Sequence, residues 1–450
     1  MQFSSIKNKK NIYFIGIGGI SMSALAKLLA VWGYSVSGSD AMKGEQTDSL
    51  AFYGVRVHIG EDGMREDLLC ADIVVYTDAV LPENKEFASA KHAGKAMFSR
   101  GEFLGVICGD FSNVIAVSGS HGKTTCTSMC AHVLTACKVP FSAHIGGEDS
   151  KMGNFYFSGR EYMITEACEY KKNLLHISSD VSIVLNIDKD HMECYQSEGE
   201  LVKTFQDFSK KSKTCFVCAD DDNCKKISDC ATFGMKNALA DYRATEIRVN
   251  DERYAFTVEE YGRAVARVRL KSIGFCNVYN ALAAFAAMRS LGFHENEIAE
   301  GLEEFISVKR RFERIGCYRG ASFICDYAHH PREIKATLKT INGICRGNLY
   351  VVFQPHTYSR TKLLMSDFIE VLRPIKNLMI YKTYPAREKY DEMGAAKTLS
   401  NIIGDCLYAE NIYVLKTWLK TTLKSGDAVL FLGAGDIYYV AQHVLKDLGR

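Results

Sequence analysis

No run of apolar residues in this 450-residue chain approaches the roughly 20 that a membrane-spanning helix requires. Charge of one sign is scarce too. Lys and Arg number 55 against 53 Asp and Glu, a net charge of +2 that gives neither nucleic acid nor an anionic membrane a reason to be the main partner. There is no internal repeat and no low-complexity segment. No export signal is expected, although the basic stretch Ser5 to Lys10 followed by Asn11 to Ile15 superficially resembles one. The apolar run is broken at once by Gly16, Gly18 and Gly19, which reads as a first strand and its turn. The expected compartment is therefore the cytoplasm, and the sixteen cysteines are expected to be reduced thiols. Cys215 and Cys218 have metal-ligand spacing, and Cys224 and Cys230 follow. The pair lies inside a strand-like run with no second C-x-x-C, so buried apolar thiols are the expectation.

What is present is a well-packed composition, 47% hydrophobic and 24% charged, in a chain long enough for two or three domains. Strand and helix patterns alternate throughout, the signature of α/β architecture with largely parallel sheets. The pattern predicts strands over 11–15, 35–38 and 73–76 with a helix over 21–32. A second series starts at 114–117 and runs through 162–165, 181–185 and 214–217 to an apolar helix over 281–291. A third begins at 322–325, after the charged Lys309 to Glu313. Three α/β domains are expected, over 1–108, 109–312 and 313–450.

Two loops carry the chemistry. Gly16-Ile17-Gly18-Gly19-Ile20-Ser21 lies between a strand and a helix, where backbone N–H groups and the helix dipole favour a phosphate, and Asp40 closes the next strand. Alone, this fingerprint suggests a dinucleotide enzyme, although Ser21 stands at its third glycine position. The stronger signal is Val114 to Thr125, an apolar strand feeding Gly119-Ser120-His121-Gly122-Lys123-Thr124-Thr125 at a helix start. Its N–H groups would wrap a polyphosphate, Lys123 would sit on the β/γ oxygens and Thr124 would hold Mg²⁺. It is a shortened phosphate loop, because Val117 stands where the first glycine is usual. Magnesium takes hard oxygen ligands. Glu166 and Glu169 follow one strand-like run, and His191 follows another that ends in the acidic Asp188 to Asp190. Both are carboxyl ends of strands, where open α/β sheets bind ligands.

Taken together these segments resemble the Mur ligase family over almost the entire chain. The resemblance rests on Gly16 to Ser23, Gly119 to Thr125, Glu166-Ala-Cys-Glu-Tyr, Asn186-Ile-Asp-Lys-Asp-His-Met and Asn277-Val-Tyr-Asn-Ala. It continues through Arg310-Arg-Phe-Glu, Asp326-Tyr-Ala-His-His-Pro, Phe353-Gln-Pro-His-Thr-Tyr-Ser-Arg-Thr, Tyr384-Pro-Ala-Arg-Glu-Lys and Leu432-Gly-Ala-Gly-Asp-Ile, in order. It implies three domains: a Rossmann-like UDP-substrate domain, a central P-loop ATPase-type domain, and a Rossmann-like carboxyl-terminal domain that brings the amino acid and contacts ADP.

The activity implied is ligation of L-alanine to the carboxylate of UDP-N-acetylmuramate through an acyl phosphate, in peptidoglycan precursor synthesis. ATP and Mg²⁺ would be required, and the enzyme would be a monomer or weak homodimer without membrane insertion. By the same resemblance Gly16, Gly18, Gly19 and Ser21 hold the uridine diphosphate, with Ser39 and Asp40 near the nucleoside. Lys123, Glu166 and His191 are the catalytic positions, and Thr124, Glu166 and His191 the metal ligands. Gly119 to Thr125, Asn277, Asn280, Arg311 and Asp326 contact the adenine nucleotide, and His356 and Arg360 lie near the incoming alanine. The chain departs from the family pattern at Cys276, where histidine is usual, at Ser120 in place of threonine, and at Thr77-Asp78 in place of small hydroxyl residues. The alternatives are a recycling ligase that adds a preformed peptide to the same nucleotide sugar, and a binding or regulatory homologue that has lost catalysis. A nicotinamide oxidoreductase would leave the phosphate loop without a purpose.

Overall fold

The computed structural model describes residues 9–60, 65–250 and 253–449; the basic stretch at 5–8 lies outside the described residues. Among the described residues the strands form three sheets. The first is wholly parallel and comprises β1 Asn11–Ile15, β2 Ser35–Asp40, β3 Arg56–Ile59, β4 Ile73–Tyr76 and β5 Ala96–Ser99, in the order β3-β2-β1-β4-β5. The strand order reverses between β1 and β4, and at such a switch point the connections leave in opposite directions and open a crevice beyond the strand ends. β1 is buried from Ile12 to Ile15, as an apolar central strand covered on both faces should be.

The second sheet has ten strands: β6 Asn113–Ser118, β7 Phe141–Asp149, β8 Gly153–Phe157, β9 Tyr162–Glu166, β10 Ser179–Val184, β11 Ser212–Cys218, β12 Ala231–Gly234, β13 Tyr242–Asn250, β14 Arg253–Glu260 and β15 Arg263–Ile273. Their order is β15-β14-β13-β12-β11-β10-β6-β9-β7-β8, with β6 flanked by the parallel β10 and β9. The helix Lys123–Ala136 that leaves β6 is buried at every residue from Thr124 to Leu134, and the alanine-rich helix Cys276–Ser290 is buried from Asn280 to Met288. Helices without a polar face belong to the interior of a large domain.

The third sheet, β16 Glu313–Tyr318, β17 Ala321–Asp326, β18 Leu349–Phe353, β19 Asn377–Tyr381, β20 Leu407–Ala409 and β21 Ala428–Leu432, runs β16-β17-β21-β18-β19-β20. Only β16 is antiparallel to its neighbour. Alternate residues of β21 serve opposite faces: Val429 and Phe431 join one buried cluster, Leu430 and Leu432 the other. Two compact units result. One spans 1–247, 255–271 and 277–306 and carries the first two sheets; the other comprises 248–254, 272–276 and 307–450.

The strands expected from the pattern are present with ends shifted by a residue or two, and the apolar helix begins at Cys276, five residues earlier than expected. The consecutive strands β13 to β15 were not anticipated. Along β15, exposed Arg267, Arg269 and Lys271 alternate with buried Val268 and Leu270, the charged dressing that keeps a sheet edge from pairing with another chain.

Candidate functional site

The glycine loop leaves β1 with Gly16 at a φ of 81°, and a Cβ there would stand 2.5 Å from Thr77 Cγ2 at the end of β4, so the turn excludes a side chain twice over. The N–H groups of Gly16 and Ile17 donate to Ser39 O at 2.8 and 2.9 Å, and that of Gly18 donates to Asp40 Oδ2 at 2.8 Å. Asp40 therefore braces the loop from below. The donors left free by helix geometry are those of the first turn of the helix Ile20–Val31. Ser39 is 3% exposed, and its hydroxyl is committed to Glu86, which also accepts from Tyr13 at 2.9 Å and Arg65 at 2.8 Å. Ser21 Oγ bonds His144 Nε2 on β7 at 2.8 Å, and His144 Nδ1 bonds Thr165 Oγ1 on β9 at 3.0 Å. The glycine loop is thus tied through one imidazole to the strand that ends in Glu166. Burial first, and the nearby charge of Arg100 second, lower the pKa of His144 to about 4, so the ring is neutral.

The phosphate loop turns on Gly119 and Gly122, at φ of 133° and 88°. Asn186, just beyond β10, splints it: its carbonyl accepts from Ser120 N at 3.0 Å, its amide oxygen accepts from His121 N at 2.8 Å, and its amide nitrogen donates to His121 O at 3.0 Å. Asn280 lies against Gly122, where a Cβ would come within 2.6 Å of its Oδ1, and it donates to Asn277 Oδ1 at 3.1 Å. One segment 65 residues from the loop in sequence and another more than 150 residues away thus meet it in space. Thr124 and Thr125 are buried at the start of the helix.

Lys123 Nζ donates to Gly119 O, to Ser120 O at 3.2 Å, and to both oxygens of Glu169 at 3.0 and 2.9 Å. Burial works against its charge, but Glu169, with Cys168 and Glu166 behind it, more than offsets that and holds the ammonium protonated well above the usual lysine range. Glu166, at the end of β9, accepts from Gly146 N at 2.6 Å. Ligand atoms of Glu169, Asp190 and His191 lie within 4.8 Å of one another, and His191 takes a φ of 55° with its ring 5.1 Å from that of Tyr170. The structure thus brings Lys123 to Glu169, and His191 into a cluster with Glu169, which the sequence offers only beside Glu166, and with Asp190, which it does not single out; Glu166 is not a member of that cluster. The available signal was their spacing, three residues after Glu166 and one before His191.

In the second unit Arg311 and Asp326 form one group. Asp326 accepts from Phe312 N at 2.7 Å and Ala328 N at 2.9 Å; burial raises its carboxyl, and the nearby Arg311 opposes that. The guanidinium of Arg311 also lies 4.9 Å over the ring of Tyr327. Another group joins His356 and Arg360: His356 stacks on Tyr384 at 5.5 Å, and Arg360 Nη1 donates to its carbonyl at 2.9 Å and lies 3.2 Å from its Nδ1. Burial and the charge of Arg360 lower the imidazole pKa to about 4. Cys276 is exposed at the first position of its helix, while Cys215 and Cys218 are buried in β11.

A shortened phosphate loop with acidic and imidazole side chains beyond neighbouring strands, and a second glycine loop in the same unit, define a nucleotide-using α/β protein of three sheets. Three family models match it: "Mur ligase family, catalytic domain" over residues 11–112, "Mur ligase middle domain" over 117–288 and "Mur ligase, glutamate ligase domain" over 310–435. The chain belongs to the Mur ligase family. It is 38% identical to the UDP-N-acetylmuramate–L-alanine ligase of Lachnospira eligens, covering 98% of each chain. It is 39% identical to that of Clostridium beijerinckii, covering 99% of this chain and all of the other. The crystal structure of UDP-N-acetylmuramate-alanine ligase from Thermotoga maritima superposes with a TM-score of 0.83 at 27% identity, covering 98% and 99% of the two chains.

Proposed function

We propose that this chain joins L-alanine to the carboxylate of UDP-N-acetylmuramate with cleavage of ATP to ADP and phosphate, a step of peptidoglycan precursor synthesis carried out in the cytoplasm. The observation that carries the reading is the grouping of Lys123, Glu169, Glu166 and His191 around a phosphate loop, in a unit that also holds a second nucleotide loop. The full-length likeness to two L-alanine ligases supplies the substrates. In our reading residues 1–108 hold the UDP moiety, 109–312 hold ATP, and 313–450 bring L-alanine.

A carboxylate does not accept an amine at neutral pH, so one of its oxygens first attacks the γ-phosphorus of ATP, forming an acyl phosphate and releasing ADP. The amine of L-alanine then adds to the acyl carbon, and the tetrahedral adduct expels phosphate. Lys123 faces the moving phosphoryl group, where charge shifts during transfer and a fixed cation contributes most. Thr124, Glu166 and His191 are the residues that would hold Mg²⁺; the hydroxyl at the helix start and the carboxylate at the end of β9 are oxygen donors that suit a small, hard cation that keeps several waters. Bound there, the ion would neutralise phosphate oxygens. Asn277 and Asn280 bound the nucleotide beside Gly122, Arg311 and Asp326 approach ADP, and His356 with Arg360 receives the amino acid. The test is phosphate release from ATP with UDP-N-acetylmuramate and each of L-alanine, glycine, L-serine and a preformed peptide. Release fastest with L-alanine is expected; release only with the peptide would transfer the chain to the recycling reaction.

A further inference from the structure

Arg100 stands apart from the other residues of the site because it carries a charge with no visible purpose. It is partly buried, and among the described residues it has neither a carboxylate nor a hydrogen-bond partner. A partly buried guanidinium with no carboxylate beside it is available to an anion that binds there.

The strand register locates it. Ile15 pairs with Tyr76 and Tyr76 with Ser99, so Gly16, Thr77 and Arg100 follow at the same level on the carboxyl edge of three adjacent strands. With neighbouring strands about 4.8 Å apart, the Arg100 backbone is roughly 10 Å from the glycine loop, a gap that the length of an arginine side chain can largely cover. This edge lies at the switch point between β1 and β4. On its other side, a Cβ on Gly101 would overlap the side-chain amide of Asn173, so the first turn of the helix that Arg100 opens packs against the segment that follows Glu166 and Glu169. The reach of its charge agrees with that placement. It is felt at His144, which bonds Ser21 of the glycine loop, and at Cys168, between the two glutamates. Arg100 therefore stands at the level of the glycine loop and near the segment that carries Glu166 and Glu169.

We infer that Arg100 binds an anionic group of the sugar nucleotide as it passes from the glycine loop toward the phosphate loop. The inference rests on the assignment of the glycine loop to UDP-N-acetylmuramate. Two groups on that molecule have the required chemistry, the diphosphate and the carboxylate that attacks ATP. The forked guanidinium suits either, because both present paired oxygens.

The experiment is equilibrium binding to the full chain and to its Arg100→Ala and Arg100→Lys variants, using UDP-N-acetylmuramate, UDP-N-acetylglucosamine, which lacks the carboxylate, and ATP. A charge-assisted contact of this kind corresponds to roughly 10- to 100-fold in affinity. Arg100→Ala should weaken UDP-N-acetylmuramate by that factor and leave ATP affinity and the unliganded melting temperature unchanged. Arg100→Lys should recover part of the loss. Equal weakening of UDP-N-acetylglucosamine would assign the contact to the diphosphate, and unaltered binding of that analogue would assign it to the carboxylate; either upholds the inference. Unchanged affinity for UDP-N-acetylmuramate in Arg100→Ala, with normal wild-type binding, overturns it alone. A wild-type chain that does not bind UDP-N-acetylmuramate removes the functional reading beneath it.

Discussion

At the scale of single residues, the pairing of Lys123 with Glu169 changes what a substitution in the phosphate loop should do. A loop lysine read from sequence contributes little packing, and its loss should affect turnover alone. In the structure it is the partner of a carboxylate that is 1% exposed. Removing one member of a buried pair leaves an uncompensated charge, at a cost of about 3–5 kcal/mol. Lys123→Ala is therefore expected to lower kcat by at least about 10²-fold and also to lower the melting temperature. Adding Glu169→Gln to Lys123→Ala removes the stranded charge, so the double variant should regain most of the lost stability and none of the lost turnover. Thermal denaturation and phosphate-release rates on the three proteins check this. A single variant as stable as the wild type would mean that Glu169 draws its compensation from elsewhere.

At the scale of elements, strand ends set the geometry and strand backbones tune it. β7 runs beside β9, and the N–H of its Gly146 holds the carboxylate of Glu166. A Cβ on Gly146 would stand 2.5 Å from Glu166 Oε2 and 2.6 Å from Oε1. The obstructed group is the end of a flexible side chain, so Gly146→Ala should fold normally and displace the carboxylate. The expected outcome is a Mg²⁺ requirement raised several-fold, on the order of the 1 kcal/mol that a misplaced ligand hydrogen bond represents, with the melting temperature nearly unchanged. Titration of activity against Mg²⁺ decides it; an unaltered Mg²⁺ dependence would show that Glu166 is not a ligand. Elements of this kind were legible in the sequence where one strong pattern dominated. Apolar runs such as Val114–Val117 gave central strands, and glycines at forced turns gave the two loops. The strands β13 to β15 were not legible, because Arg and Glu interrupt their alternation and half of their side chains face solvent. In the site, Lys123, Glu166 and His191 could be read from motifs. The role of Glu169 could not, since its partner is 46 residues away and is brought to it by the parallel pairing of β6 with β9.

At the scale of the whole molecule, each compact unit contains a histidine held neutral, the buried His144 in the first and the half-buried His356 in the second, both with pKa lowered to about 4. An unfolded histidine titrates near 6.5. Above that pH both states carry neutral rings, and these residues add no pH dependence. As the pH falls below about 6.5 the unfolded chain takes up protons that the folded chain refuses, so stability declines until about pH 4, where the folded rings also protonate. The loss is at most roughly 3 kcal/mol for each residue, the free-energy equivalent of the shift. Carboxylates whose pKa the fold lowers, such as Asp149 between Ser128 and His132, lose their contribution mainly at lower pH, so the two causes fall in different windows. Urea denaturation between pH 7.5 and 4 should therefore show a falling stability that begins well above the carboxylate range. His356→Gln should flatten that fall for the second unit while leaving the first unchanged, and His144→Gln should do the converse, with tryptic cleavage patterns reporting which unit opens. An acid limb of the same slope in both variants would mean that other groups drive the loss.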